Sequence, residues 1–212
     1  MSFWTDVILI LVALANLKVL GSSRLLACIR VVAFQGIVLG VLPLLSEAMD
    51  MRILLASIAS TILKGLVFPA LLMRALRESP SRREVDPSVG YTTSLLAGLG
   101  MIVLSLWLAS RLGLVITQQA PMVVPCAFFT VMVGLFLIVS RRNAITQVLG
   151  YLVMENGIYT FGMNMAHQQP LLVELGILLD VFMAVFVMGI TIYHINRAFD
   201  HIETDRMSAL KD

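Results

Sequence analysis

The stretch Gly150-Tyr-Leu-Val-Met-Glu-Asn-Gly157 places an acidic residue, Glu155, in the middle of an otherwise apolar run of helical length. An ionised carboxylate at the centre of a bilayer costs at least about 2.5 kcal/mol, and such residues are rare and usually functional. Two further ionisable residues have the same setting: Asp180 lies at the middle of the next apolar run, and Lys64 at the middle of an earlier one. The sequence therefore predicts a membrane protein that holds these three groups at similar depth.

Composition assigns the whole chain to the membrane. Of its 212 residues, 59% are hydrophobic and 13% are charged, whereas about a quarter of the residues in a soluble domain are charged. A transmembrane helix needs about 20 predominantly apolar residues. Seven runs approach or exceed that length, namely 4–20, 25–45, 53–73, 90–110, 122–139, 144–165 and 171–195. We predict an all-α integral membrane protein of about seven transmembrane helices, forming one membrane domain over residues 1–212.

The distribution of basic residues predicts the orientation of these helices. If successive connections alternate between the two sides, one side receives ten basic residues and the other receives Arg52 and Arg111. The ten are Arg24, Arg74, Arg77, Arg82, Arg83, Arg141, Arg142, Arg197, Arg206 and Lys211. Because cytoplasmic loops are enriched in lysine and arginine, we expect the N-terminus outside and the C-terminus, with its polar tail 198–212, in the cytoplasm.

Pro69 predicts a local irregularity beside the buried lysine. It lies five residues after Lys64 and lacks the amide hydrogen that would bond the carbonyl of Gly65. The free acceptor predicts a kink about one turn from the lysine.

Glu155, Asp180 and Lys64 have the chemistry of an intramembrane proton relay. Burial in a low-dielectric medium raises the pKa of a carboxylic acid and lowers that of a lysine, so that both can exchange protons near neutral pH. Glu174 precedes Asp180 by six residues, which is about 9 Å of helical rise and about 120° around the axis. It is therefore a more peripheral candidate for the same proton pathway.

Polar neighbours of Glu155 could support the relay. Tyr151, Glu155 and Tyr159 follow an i, i+4, i+8 spacing and fall on one side of a helix, and Asn156 is adjacent. Polar side chains in membrane helices more often join helices than carry protons, so we favour packing for both tyrosines and an interhelical hydrogen bond for Asn156, Gln35 and Gln147. A structural ion pair between Lys64 and either acid is the main alternative to the relay.

Other site chemistries have little support in the sequence. Cys28 and Cys126 both lie in apolar runs, and the three histidines are scattered at the ends of runs. This pattern predicts neither a disulfide framework nor a metal site, and no cofactor motif or catalytic centre is identified. The expected surroundings are the lipid bilayer and other membrane subunits, and the net charge of +2 does not predict nucleic-acid binding.

Several motifs give the chain a family resemblance. Ser140-Arg-Arg-Asn143, Leu149-Gly150 and Met154-Glu-Asn-Gly157, followed by Leu172-Val-Glu-Leu-Gly-Ile-Leu-Leu-Asp180 and Ala209-Leu210-Lys211, resemble the hydrogenase-4 component E family. Its members are membrane subunits of formate hydrogenlyase-type, group 4 nickel–iron hydrogenase complexes. The resemblance covers most of the chain, including Lys64 and Pro69. The last three helices are also similar to the K-type subunit of respiratory complex I and the C subunit of Mrp-type antiporters.

The resemblance implies a two-part organisation and a set of partners. Residues 1–118 would form a four-helix part and residues 119–197 a K-type-like three-helix part. The chain would be a non-catalytic subunit in a bacterial or archaeal inner membrane, joining antiporter-like and H-type-like subunits to a redox module. The wider family's two buried glutamates fall at Asp180 and at Leu152, so that Glu155 is displaced by about one turn. A subunit of a cation/proton antiporter and a purely architectural anchor are the alternatives.

Overall fold

The computed structural model describes residues 2–42, 51–78, 89–111 and 121–165, together with Phe182, Val185 and Gly189 singly. These residues are helical or lie in the short turns between helices, and this part of the chain contains no strand. The helices are α1 (Ser2–Leu20), α2 (Leu25–Val41), α3 (Met51–Ile62), a π-helical turn (Leu63–Val67), α4 (Phe68–Glu78), α5 (Tyr91–Arg111), α6 (Val123–Ser140) and α7 (Ala144–Met165). The predicted all-α class is therefore confirmed.

The helices match the apolar runs of the sequence closely. Four helical stretches are long and apolar enough to cross a membrane, namely Phe3–Leu20, Ser57–Arg77, Tyr91–Arg111 and Val123–Ser140. The apolar helix α2 is shorter, with 17 residues, and α7 has 22 residues. The predicted seventh run, 171–195, lies outside the described residues apart from Phe182, Val185 and Gly189, which are helical. The structure thus supports a multi-pass membrane protein.

The π-helical turn lies where Pro69 predicts an irregular backbone. The amide of Phe68 bonds the carbonyl of Leu63, one residue further back than in an α-helix, and Pro69 follows with no amide to donate. The extra residue is accommodated without ending the helix, so that α3, the π turn and α4 follow one another directly. Single π turns of this kind occur frequently at functional sites.

Helices α6 and α7 form a tight antiparallel hairpin. Only three residues separate them, and the Asn143 side chain accepts a hydrogen bond from the Ile145 amide at the start of α7. Glycines allow the two backbones to approach: a Cβ at Gly150 would lie 2.9 Å from the carbonyl oxygen of Gly134, and one at Gly157 would lie 2.7 Å from the nitrogen of Val131. Small residues at such contacts are typical of packed membrane helices.

Two apolar clusters form the interior. The larger cluster draws buried residues from α1, α2, α4, α6 and α7, including Leu20, Ile29, Phe68, Val133 and Leu149. The smaller cluster joins α1, α2 and α6 through Leu9, Val12, Leu39, Leu42, Val123 and Cys126. In the described residues, the two predicted segments 1–118 and 119–197 therefore share their core rather than packing separately.

Arg141, in the turn between α6 and α7, is buried. Arg141 is one of the ten basic residues predicted on the cytoplasmic side, yet its side chain is 2% exposed. Its Nη2 donates to the carbonyl oxygen of Leu20 at 2.9 Å, and its guanidinium lies 4.7 Å from the Tyr91 ring centre. The terminal carbonyls of a helix have no intrahelical partner. Arg141 therefore fastens the end of α1 and the start of α5 to the hairpin.

Candidate functional site

Lys64 and Glu155 form an ion pair inside the protein. The Lys64 Nζ lies 2.9 Å from Glu155 Oε1, and the two side chains are 6% and 3% exposed. Removing an ionised group from water costs free energy, and a close opposite charge offsets part of that cost. The structure therefore brings together two of the three groups that the sequence places at matching depth, and it pairs the lysine with the first of the two acids.

Close packing against α2 positions the lysine. A Cβ at Gly36 would lie 2.6 Å from the Lys64 Cβ, and a Cβ at Gly65 would lie 2.6 Å from the Ile37 side chain. Glycine at both positions lets α2 and the π turn approach more closely than larger residues would allow. The lysine stem is thus held between α2 and α7, and its ammonium group is directed at Glu155.

Glu155 reaches the lysine from the interior side of α7. Leu152, the position at which the resemblance places the wider family's first glutamate, is also buried and lies in the larger apolar cluster. Residues three apart on a helix share one side. The carboxylate therefore stays on the same side of α7 but is about one turn further along, beyond the apolar cluster that contains Leu152.

Of the two tyrosines, one belongs to the ion pair's surroundings. Lys64 Nζ lies 4.7 Å from the centre of the Tyr159 ring, which is within the range of a cation–π interaction. Tyr151 is partly buried against the larger apolar cluster. The Tyr159 ring therefore contributes to the electrostatics around the lysine.

A chain of amide and hydroxyl groups joins three other helices beside the pair. Gln35 Nε2 donates to Asn16 Oδ1 at 2.9 Å, Asn16 Nδ2 donates to Thr130 Oγ1 at 2.9 Å, and Thr130 Oγ1 donates to the Cys126 carbonyl at 2.7 Å. Gln35 thus has the interhelical partner that the sequence predicts. Gln147 Nε2 instead donates to the carbonyl oxygen of Arg141 in the turn between α6 and α7. Asn16 and Thr130 are absent from the sequence-based candidates, although both interrupt apolar runs.

These polar residues form one layer between the two apolar clusters. The polar layer consists of Asn16, Gln35, Lys64, Thr130, Glu155 and Asn156, all buried. Along α1, Asn16 lies between Val12 of the smaller cluster and Val19 of the larger one, and along α6 Thr130 lies between Cys126 and Val133. The site is therefore enclosed by apolar packing on both sides along the helix axes.

Three oxygen atoms of the polar layer have no hydrogen-bond partner among the described residues. They are Gln35 Oε1, Glu155 Oε2 and Asn156 Oδ1. Each unsatisfied buried polar atom costs about 1–3 kcal/mol. Within the described residues, the side-chain oxygen of Asn156 therefore lacks the predicted interhelical hydrogen bond. The backbone carbonyl of Asn156 accepts a hydrogen bond from the Thr160 hydroxyl in the same helix.

The remaining predicted site residues fall elsewhere. Asp180 and Glu174 lie outside the described residues. Among the residues that the structure describes, no group of three histidine, cysteine, aspartate or glutamate side chains is arranged to hold a metal ion. The polar layer contains a carboxylate, an amine and hydrogen-bonding groups, which are the kinds of group that an intramembrane proton relay requires.

Sequence comparison finds relatives over most of the chain. The uncharacterized protein Rv0085 of Mycobacterium tuberculosis is 34% identical over 202 residues, which are 94% of this chain and 92% of that protein. Hydrogenase-4 component E of Escherichia coli and that of Shigella flexneri are each 28% identical over 160 residues, which are 76% of this chain and 74% of theirs. Each alignment therefore includes at least part of both predicted segments of this chain.

The C-terminal part also matches a family model. Residues 122–212 match the model described as NADH-ubiquinone/plastoquinone oxidoreductase chain 4L. The match begins at α6 and includes the hairpin that carries Glu155. No solved structure matches the chain.

Proposed function

Because the chain belongs to the hydrogenase-4 component E family, with a C-terminal part similar to chain 4L of complex I, we propose that it is a non-catalytic subunit of a redox-driven, proton-translocating membrane complex. In this role it contributes buried ionisable groups to the proton pathway and links antiporter-like subunits, together with an H-type-like subunit, to the redox module. The family supports the class of complex. The polar layer supports the proton role.

The ion pair of Lys64 and Glu155 is the observation that carries this proposal. Two charges 2.9 Å apart in an apolar surrounding interact far more strongly than they would in water. Protonation of the carboxylate removes one charge and leaves the ammonium group without its counterion. A change in the charge of one group therefore alters the electrostatic environment of the other, which is the property needed to transmit a charge change through a membrane subunit.

The same proposal includes the parts of the pathway outside the described residues. Asp180 and the more peripheral Glu174 would continue the route from Glu155 along the seventh helix. We place seven transmembrane helices in the inner membrane, with the N-terminus outside and the C-terminus in the cytoplasm, because ten basic residues then lie on the cytoplasmic side. In this orientation the α6–α7 turn is cytoplasmic, and Glu155 lies near the middle of α7.

The test begins with an affinity tag on this subunit in its native host. The proposal expects redox subunits to co-purify with it and expects sealed membrane vesicles to acidify on addition of the redox substrate. Glu155→Gln, which removes the titrating group at constant size, should abolish most of that acidification while the complex still assembles. Lys18→Met is the matched control, because Lys18 is an exposed lysine in a membrane helix.

Three outcomes would contradict the proposal. Co-purification of antiporter subunits with no redox subunit would favour a cation/proton antiporter. Normal acidification in Glu155→Gln together with normal assembly would leave an architectural anchor. A Glu155→Gln effect confined to assembly yield, with normal acidification per assembled complex, would reduce the ion pair to a structural contact.

A further inference from the structure

The polar layer is a closed ring of contacts. Gly36 packs on Lys64, Gln35 bonds Asn16, Asn16 bonds Thr130, Gly157 packs on Val131 next to Thr130, and Glu155 returns to Lys64. The ring passes through α2, α1, α6, α7 and the π turn. Every polar side chain in it is at least nine-tenths buried. The groups therefore form one connected, buried network rather than lying on separate surfaces.

Gln35 and Asn156 lie on α2 and α7, at two sides of this ring. Gln35 directly precedes Gly36, where an added Cβ would lie 2.6 Å from the Lys64 Cβ, so Gln35 lies along α2 at the level of the ion pair. Each residue of an α-helix advances by 100°, so Asn156 lies midway between the directions of Glu155, which faces Lys64, and Gly157, which faces α6. Asn156 is 2% exposed, so its side chain lies on the buried side of α7 between these two directions.

Three oxygen atoms of the ring share one chemical character. Gln35 Oε1, Glu155 Oε2 and Asn156 Oδ1, which lack hydrogen-bond partners within the described residues, are all hydrogen-bond acceptors. None of them can satisfy another, since each needs a donor. Gln35 Nε2 donates to Asn16, Asn16 Nδ2 donates to Thr130, and the Thr130 hydroxyl donates to the Cys126 carbonyl. Gln35 Oε1 is therefore left as an acceptor at the start of this chain.

We propose that the ring binds a water molecule, which donates hydrogen bonds to the open oxygens of Gln35, Asn156 and Glu155, two at a time. Water has two donors and can accept in return. Buried waters typically occupy polar sites with two to four partners. A sodium ion would also prefer oxygen ligands, but the Lys64 ammonium already lies 2.9 Å from Glu155 and supplies the positive charge. A neutral donor fits the ring, and a second cation does not.

This water would act within the proposed proton role, on which its function rests. When Glu155 is ionised, the water donates one hydrogen to Glu155 Oε2 and the other to an amide oxygen. When Glu155 is protonated, its hydroxyl donates to the water, and both water hydrogens turn to Gln35 and Asn156. The site therefore gives the protonated carboxyl a hydrogen-bonded partner other than Lys64 and stabilises the state in which the ion pair is broken.

The experiment combines a direct and a functional observation on the assembled complex. A cryo-electron microscopy map that resolves water should show density about 2.8 Å from Gln35 Oε1 and Asn156 Oδ1. Asn156→Leu, which keeps the volume and removes the acceptor, should eliminate that density and lower acidification per assembled complex by about fivefold to tenfold, the factor set by one lost hydrogen bond. Ser57→Ala is the control, because Ser57 is buried and bonds the Gly40 carbonyl outside the ring, and it should leave both observations unchanged.

The water site would be overturned by a wild-type map in which another side chain or an ion occupies the interior, or by acidification in Asn156→Leu equal to that in Ser57→Ala. If Asn156→Leu does not assemble, Gln35→Met and the wild-type map decide in the same way. Glu155→Gln keeps the two proposals distinguishable. A loss of acidification in Glu155→Gln alone supports the proton role and rejects the water site, whereas normal acidification in Glu155→Gln rejects the proton role itself.

Discussion

The Lys64 ammonium and the Glu155 carboxylate lie 2.9 Å apart, although each comes from a different predicted segment of the chain. The lysine belongs to the π turn in the N-terminal segment, and the glutamate belongs to the hairpin in the K-type-like segment. Because both side chains are buried, neither charge has bulk water as an alternative partner. The pair thus connects the two predicted segments of the chain, in addition to its proposed role in proton transfer.

The first prediction concerns the stability of the pair. Lys64→Met and Glu155→Leu should each destabilise the purified complex by about 3–5 kcal/mol, because each leaves one uncompensated buried charge. The double variant should recover most of that loss, because it removes both charges of the pair together. Thermal unfolding in detergent measures the effect, with Lys18→Met as the control. A double variant less stable than both single variants would contradict this account of the pair.

The second prediction concerns the approach of α2 to the π turn. Gly36→Ala places a methyl group 2.6 Å from the Lys64 Cβ, so α2 must move away and the lysine must shift. We expect a lower yield of assembled complex and reduced acidification per complex. Gly100→Ala is the matched control, since among the described residues no side chain and no other helix lies within 4 Å of the added group. Equal behaviour of the two variants would argue against a close contact at Gly36.

The third prediction separates the ring of Tyr159 from its hydroxyl group. Tyr159→Phe keeps the aromatic face 4.7 Å from Lys64 and should preserve assembly and thermal stability. Tyr159→Leu removes that face and should lower stability by about 1–2 kcal/mol, the usual size of a desolvated cation–π contact. If Tyr159→Phe were as unstable as Tyr159→Leu, the hydroxyl rather than the ring would be the important group.

The fourth prediction concerns Arg141. Arg141→Met removes the donor to the Leu20 carbonyl and should lower the melting temperature and the yield of the complex, because a buried acceptor loses its partner. Arg141→Lys should restore little, since a lysine lacks the planar group that donates to several acceptors and stacks on Tyr91. Arg142→Met, at the exposed neighbouring position, is the control. Equal stability of the Arg141 and Arg142 variants would show that the buried arginine does not fasten the helices.

The sequence predicts the helices well because apolar length is a local property. Runs 90–110 and 144–165 correspond to α5 at Tyr91–Arg111 and α7 at Ala144–Met165. The depth of Lys64 and Glu155 follows in the same way, from counting residues along a run. Pro69 likewise indicates an irregular backbone, though it does not specify that the irregularity is a π turn on its N-terminal side.

The contact partners of individual side chains cannot be predicted in this way, because they depend on how the helices pack. The sequence leaves open which acid pairs with Lys64, since it predicts similar depths for Glu155 and Asp180. Arg141 looks like an ordinary basic residue of a cytoplasmic turn, and only the packed end of α1 explains its burial. Asn16 and Thr130 could have been found by the same search for polar residues inside apolar runs, because each interrupts such a run as Gln35 does.

The double variant Lys64→Met with Glu155→Leu gives the most direct test of the proton role. Stability should be largely retained in this variant, because both charges of the pair are removed together. Acidification of sealed vesicles is measured per assembled complex, at equal content of the complex. If the pair carries protons, the double variant is expected to assemble and to translocate few or none. Wild-type acidification in that variant would show that the ion pair is a structural contact and would contradict the proposed function of the site.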